Sequence, residues 1–315
     1  MMQSDFRDAV FLAVGEVMST DPRAVILYND MGALELDRLR QRYPTRVYNV
    51  GICEQNMASL AAGLALDGRC VFTYGIIAHV FARSFEQIRN DICCENLPVT
   101  ILGVGSGLSY GADGPTHHGV QDVAVMRTLP NLAIFNPSDY VSAQAAVRMA
   151  AARRRPAFIR MDKDQVPALY SENHDFSAGF AVLREGRDAA LVTTGVLVHR
   201  AVEVADRLLK EGIGIRVVDV FRIKPIAEQQ LADVLADVRS VISLEENSPV
   251  GGLGSIIGEL LARGKSHPYF SSIGLDDNPL IGSASRSWAE RRFRYTADEV
   301  AASVRVAVRS STSSR

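Results

Sequence analysis

Short β-branched runs alternate with longer amphipathic stretches along almost the whole chain, and this rhythm restricts the fold more than any single motif. Strands are predicted at AVILY (24–28), RVYNV (46–50), CVFTY (70–74), VTILGV (99–104), LAIFN (132–136) and AFIRM (157–161). Helices are predicted over 4–18, 31–43, 54–66, 79–95 and 138–152, the last begun by Ser138 after Pro137 and apolar along one face. Strand-helix alternation dictates a parallel sheet with helices on both faces, because successive parallel strands need a crossover between them. Residues 162–187, with DKDQVP, SENHD and GRD, lose the periodicity and read as a linker over 163–187. The alternation then resumes with AALVTTG (189–195), a helix over 197–211, IRVVDV (215–220), a helix over 226–237 and SVISLEE (240–246). A helix over 253–263, the strand SSIGL (271–275) and a helix over 296–309 behind Thr296 complete the pattern. The expected architecture is a parallel α/β domain over 1–162 and a smaller α/β domain over 188–315, with no tandem repeat.

A chain of 315 residues accommodates two such domains. Its 47% hydrophobic and 22% charged content is that of a globular protein in water. A net charge of -2 argues against global attraction to nucleic acid or to an anionic membrane. The four cysteines, Cys53, Cys70, Cys93 and Cys94, form no C-x-x-C, and the adjacent pair is not a usual zinc pair. They read as reduced, mostly buried thiols of a cytoplasmic protein. The opening MMQSDFRDAVFLAV has acids at Asp5 and Asp8 and too short an apolar stretch for a signal peptide. Uncharged runs such as NLPVTILGVGSGLSYGA are interrupted by Gly, Pro and polar residues, so no membrane span is expected. The polar end RSSTSSR is expected to fray.

Four stretches could carry chemistry. In NVGICEQNMASLAAG (49–63), Glu54 opens a helix that is otherwise small and apolar. A helix-dipole contact is worth only about 0.3–1 kcal/mol, a weak reason to bring an acid into such surroundings. Gly103, Gly105 and Gly107 follow a strand but lack the G-x-G-x-x-G spacing, so they read as backbone that must approach something closely. GADGPTHHG (111–119) places Asp113, His117 and His118 among turn residues. Loop histidines beside an aspartate can bind hydroxyls and shuttle protons; an Asx-type turn with surface histidines explains the pattern equally well. Adjacent histidines without a partner cluster do not make a zinc site. HVFARSFEQIRND (79–91) holds His79, Phe81, Arg83 and Phe85, and pattern alone favours inward Phe and outward Arg. The serines lack a G-x-S-x-G elbow.

Taken together these segments resemble the transketolase and deoxyxylulose-phosphate synthase family. GICEQNMASLAAGLAL looks like its pyrimidine-binding segment, and GADGPTHHG like its substrate loop. NLAIFNPSD, VFRIKPI, VISLEENSPVGGLGS and IGLDD match in order, so the similarity spans residues 5 to 308. The resemblance implies a pyrimidine-binding thiamine-diphosphate fold followed by a smaller transketolase C-terminal domain. It also shows an absence. Full-length members begin with another domain, which binds the cofactor's diphosphate through Mg²⁺ with a GDG…N signature. Here the DG pairs Asp67-Gly68 and Asp113-Gly114 lack that context. The chain therefore looks like the C-terminal subunit of a split transketolase, with the diphosphate and metal ligands on a separate chain and a two-plus-two heterotetramer as the implied assembly.

The resemblance also implies roles. Glu54 matches the glutamate that contacts N1′ of the aminopyrimidine, with Ile52, Met57 and Ala58 as apolar surroundings. Phe81 is the expected stacking residue, His79 could supply part of that platform, and Arg83 matches an arginine of the synthase version. Asp113 and His117 match residues that hold substrate hydroxyls, and His117 is expected to assist proton transfer. Two positions depart from the family. Gly105 stands where many transketolases have a histidine, and Lys163 where they have a phosphate-binding arginine. Lysine still neutralises a phosphate, as a point charge rather than a fork, and the acceptor end is open to an unusual sugar. The expected function is transfer of a two-carbon ketol unit between sugars or sugar phosphates. Alternatives are the β subunit of a 2-oxo acid dehydrogenase first component, a non-catalytic interaction subunit, and a deoxyxylulose-phosphate synthase, normally a single chain.

Overall fold

The predicted rhythm becomes two stacked α/β units in the computed structural model, which describes residues 5–264, 267–278 and 282–312. The strands are β1 (Ala24–Tyr28), β2 (Val47–Asn49), β3 (Cys70–Ile76), β4 (Val99–Val104), β5 (Ala133–Phe135), β6 (Ala157–Met161), β7 (Ala181–Arg184), β8 (Ala189–Thr193), β9 (Ile215–Asp219), β10 (Arg222–Lys224), β11 (Ser240–Leu244) and β12 (Tyr269–Ile273). The helices are α1 (Phe6–Thr20), α2 (Leu34–Arg42), α3 (Glu54–Leu66), α4 (Ile77–Arg83), α5 (Phe85–Gln87), α6 (Asp122–Met126), α7 (Tyr140–Arg153), α8 (Leu197–Leu209), α9 (Glu228–Leu235), α10 (Leu253–Arg263), α11 (Arg286–Arg292) and α12 (Ala297–Thr312).

The first sheet has the order β10-β5-β6-β4-β3-β1-β2, and only β10 runs antiparallel. Its central strands are buried on both faces, as continuous runs such as VTILGV require. One face packs on α1 and α7 through residues such as Phe6, Phe11, Val14 and Val147, the other on α3 through Met57, Ala58 and Ala61. The second sheet has the order β12-β11-β8-β9-β7, with β7 antiparallel to β9. No helix of the described residues is long and apolar enough to cross a membrane. All four cysteines are free; Cys70 and Cys93 are buried, Cys53 is half-buried and Cys94 is exposed.

Several expectations change. The helix expected over 79–95 is three pieces: α4 ends at Arg83, α5 follows Ser84, and a wide π-type turn spans Ile88–Cys94. Ser84 is buried and its hydroxyl donates to the Val80 carbonyl, a local bond that competes with the helical ladder. The segment 163–187 is no free tether. Tyr170 and Phe176 form a small apolar cluster with Val141 and Phe221, and β7 joins the second sheet. Its aromatic residues pack from turns, so they leave no periodic signature. β10 was absent from the expected strands because three residues make no pattern. It pairs with β5, so sequence from the second half closes the edge of the first sheet. The short α6 and α11, and 3₁₀ turns at Gly111–Asp113 and Pro115–His117, were likewise unanticipated. Residues 1–4, where the first helix and the leading segment were expected to begin, lie outside the described residues. So do residues 313–315 of the polar end, while α12 runs through Thr312.

Candidate active site

The residues singled out above all follow the carboxyl ends of first-sheet strands, where open α/β sheets bind ligands. Glu54 comes after β2, His79 and Arg83 after β3, Asp113 and His117 after β4, and Lys163 after β6; Tyr110 also follows β4.

Glu54 is placed by a tight turn. Gly51 sits at φ +76°, its N–H donating to the Asn49 side chain (2.9 Å) and its carbonyl accepting from Asn29 Nδ2 (2.8 Å). This left-handed turn reverses the chain from β2 into α3, and Glu54 is the first helical residue. Its carboxylate is buried at 5% exposure. Met57 and Ala58 are buried in the same helix. Ile52 instead points outward at 71% exposure, because it precedes the helix on the outer side of the turn. The carboxylate is not surrounded by apolar groups alone. Arg83 Nη1 donates to Oε2 at 3.1 Å, and His79 Nδ1 lies 3.6 Å from Oε1.

His79 joins this carboxylate to the substrate-type loop. Its ring meets the His117 ring edge-on, with centroids 5.0 Å apart. Burial and the Arg83 charge hold the His79 imidazole below its ordinary value, against the opposing pull of Glu54. Neutral imidazole is thus the favoured form near pH 7. His117 is half-buried, its Nδ1 2.9 Å from the Thr116 hydroxyl, and packs against Tyr110 with centroids 5.8 Å apart. The Lys163 ammonium lies over the face of Tyr110, 3.9 Å from its centroid. One continuous series, Glu54–His79–His117–Tyr110–Lys163, therefore links residues from four loops. Asp113 is exposed on the 3₁₀ turn beside it. Phe81 is half-buried and packs against the core below α3. The adjacent His118 is buried, and burial depresses its imidazole too. Among the described residues no group of three or more His, Cys, Asp or Glu is arranged to hold a metal ion.

The glycines in and after β4 approach three different neighbours, as close backbone approach requires. A Cβ on Gly103 would lie 2.6 Å from Ile77, one on Gly105 2.4 Å from the Tyr110 ring, and one on Gly107 2.1 Å from a Glu246 oxygen. Gly105, the position where the family pattern has a histidine, is thus filled by Tyr110. Sequence reasoning missed Tyr110, because SGLSYGA has no periodicity to flag it. It also missed Glu246 and Arg286, which brace these loops from the second domain. Arg160 and Asp122 form a buried ion pair at 2.6 Å, and Arg160 also donates to the Gly119 carbonyl at 3.1 Å, fixing the far end of the loop.

Two family models match the chain: the transketolase pyrimidine binding domain over residues 2–168 and the transketolase C-terminal domain over residues 179–300. An apulose-4-phosphate transketolase subunit of Actinobacillus succinogenes is 33% identical over 261 residues, 82% of this chain and 84% of the relative. A 6-deoxy-6-sulfo-D-fructose transketolase subunit SqwH of a Clostridium sp. is 31% identical over 304 residues, 93% of this chain and 91% of the relative. Among solved structures, a split gene transketolase described as an inactive beta4 tetramer superposes with a TM-score of 0.88 at 33% identity. That match covers 96% of this chain and 98% of the other.

Proposed function

This chain belongs to the transketolase family through both of its domains, and on that basis we propose that it is the C-terminal subunit of a two-chain transketolase. In this reading it transfers a two-carbon ketol unit between sugars or sugar phosphates, with thiamine diphosphate held between this chain and a diphosphate-binding partner. The observation that supports it most is the unbroken series from Glu54 to Lys163. A buried carboxylate, a neutral imidazole, a hydroxyl-binding histidine and a cation stand in the order that a proton relay, a polyhydroxylated chain and an anionic terminus require.

The residues fit the aminopyrimidine end of the cofactor. Glu54 is buried in one wall, and the exposed Ile52 and half-buried Phe81 offer apolar surface nearby. When bound, thiamine diphosphate supplies the carbon nucleophile and electron sink for breaking and remaking a bond beside a ketose carbonyl. Glu54 would share a proton with a pyrimidine ring nitrogen, with Arg83 donating to one of its oxygens and His79 standing beside the other. His117 and Asp113 orient hydroxyls, and Lys163 receives the anionic end. Magnesium and diphosphate contacts are assigned to the partner, and two copies of each chain make the assembly. The site has no need of a lipid or nucleic-acid surface, and a cytoplasmic location suits its free thiols.

The test is reconstitution with a diphosphate-binding subunit carrying the GDG…N signature. Ketol transfer from a ketose phosphate that needs both chains supports the proposal. Reductive acylation of lipoamide from a 2-oxo acid instead identifies a 2-oxo acid dehydrogenase component. A complex that forms without binding thiamine diphosphate identifies a non-catalytic subunit.

A further inference from the structure

Lys163 lies between two aspartates in sequence, yet among the described residues it makes no ion pair; its ammonium rests on the Tyr110 ring. The reason lies in the second domain. Arg286, the first residue of α11, donates from Nη1 to Asp162 Oδ1 (3.0 Å) and Asp164 Oδ2 (2.6 Å). Its Nη2 donates to Asp162 Oδ2 (3.0 Å), and its Nε to Glu246 Oε1 (2.9 Å). Asp162 Oδ1 also accepts the N–H groups of Lys163 (2.7 Å) and Asp164 (2.9 Å), so its oxygens are filled. Glu246 in turn accepts the Leu108 N–H (3.0 Å) and the Tyr295 hydroxyl (2.8 Å). One guanidinium thus ties the 162–164 turn to the loop that bears Tyr110 and His117. A planar, five-donor fork can span these acceptors; an ammonium cannot.

We propose that Arg286 is a positioning residue of the substrate end. By occupying Asp162 and Asp164 it keeps the Lys163 ammonium on the face of Tyr110, open to the anionic terminus of a sugar substrate. Without it, the two aspartates that flank Lys163 in sequence are released and capture the ammonium. The nature of the anion rests on the sugar-transfer reading; the placement of Lys163 does not.

Lysine-selective ¹³C labelling of the full chain tests this, since only four of its 34 basic residues are lysines. The Lys163 Hε–Cε signal, identified by its loss in K163R, is expected upfield of an ordinary exposed lysine because of the Tyr110 ring current. In R286Q it moves to the ordinary position. R286Q/E246Q, which avoids stranding the buried Glu246 charge if the single variant does not fold, is expected to do the same. Adding D162N and D164N to that variant returns the signal upfield, a rescue that loss of mere scaffolding does not predict. In the reconstituted enzyme, R286Q/E246Q lowers kcat/KM for a ketose phosphate about tenfold relative to the unphosphorylated ketose. A Lys163 signal that stays upfield in R286Q/E246Q, or one that is ordinary in the unaltered chain, overturns the proposal. An unchanged ratio between the two ketoses overturns its anion-binding part. A wild-type enzyme with no ketol transfer overturns the sugar-transfer reading instead and leaves the labelling result to decide the role of Arg286.

Discussion

The two sheets share an architecture but use their carboxyl ends in opposite ways. In the first, the loops after β2, β3, β4 and β6 carry Glu54, His79, His117 and Lys163 into one series. In the second, the corresponding ends are spent on scaffolding bonds, some to the first domain and some within the second. The Thr194 hydroxyl after β8 donates to the Val220 carbonyl (2.7 Å) and to that of Asn136 (3.3 Å). Asp219 at the end of β9 accepts from Ser138 (2.6 Å) and Tyr170 (2.7 Å). Glu245 after β11 accepts the N–H groups of Leu253 and Gly254 at the start of α10, and Glu246 holds Leu108. A parallel sheet directs polar groups to its carboxyl end whatever its task; what decides between chemistry and scaffolding is whether that end is left open or docked.

The sharpest way to break this contrast is to separate activity from stability. Glu54→Gln keeps the side-chain volume and should cost at least about 100-fold in turnover of the reconstituted enzyme, the range for a lost proton-transfer group. Its denaturant midpoint should stay close to that of the unaltered chain. Full turnover in this variant removes Glu54 from the chemistry. Next in size is Arg160→Met, which leaves the fully buried Asp122 without its counter-charge. Breaking such a pair costs about 3–5 kcal/mol, readable by urea unfolding. It shows that the first domain also has purely structural charges, set back from the open loops.

Glu246→Ala is the converse of Glu54→Gln. It deprives the Leu108 N–H, the Tyr295 hydroxyl and part of Arg286 of an acceptor, a loss of about 1–3 kcal/mol. The expected result is a lowered unfolding midpoint, with turnover under saturating substrate changed far less than by Glu54→Gln. The smallest effect concerns pH. Burial raises the Asp219 carboxyl from 3.8 to about 7, against the hydrogen bonds from Ser138 and Tyr170. A raised carboxyl contributes stability that is complete below its unfolded value and is lost as pH rises through the folded one. Asp219→Asn, neutral throughout, should therefore narrow the stability difference between about pH 5 and about pH 8. Urea titrations at both values check it, and an unaltered difference shows that Asp219 is ionised in the fold. Glu245, raised to about 7 mainly by burial, supplies a parallel slope that the variant leaves in place.

The legible part of this chain was the part governed by local repetition. Parallel strands buried on both faces must be continuous apolar runs, so β1, β4 and β6 could be placed to the residue. Glu54 stood out because a lone acid in an apolar helix start is chemically odd, and the histidine loop because its residue types are few and crowded. Long-range polar geometry left no such trace. Arg286 lies 124 residues from Asp162 and 40 from Glu246, and nothing in SRSW marks it as their common partner. Tyr110 became visible only once the space above Gly105 was known. The setting of Glu54 was half legible. Its burial followed from its neighbours, but Arg83 and His79 reach it from another loop.

The antiparallel pairing of β10 with β5 has a consequence for how such a chain can be rearranged. Three residues from the second half complete the rim of the first sheet, and the last of them, Lys224, donates to the Arg127 carbonyl at 2.8 Å. A recombination event that exchanged either half for a foreign one would strip β5 of its neighbour and bare a sticky border. Only a replacement that brought an equivalent strand in the same register would keep that border covered.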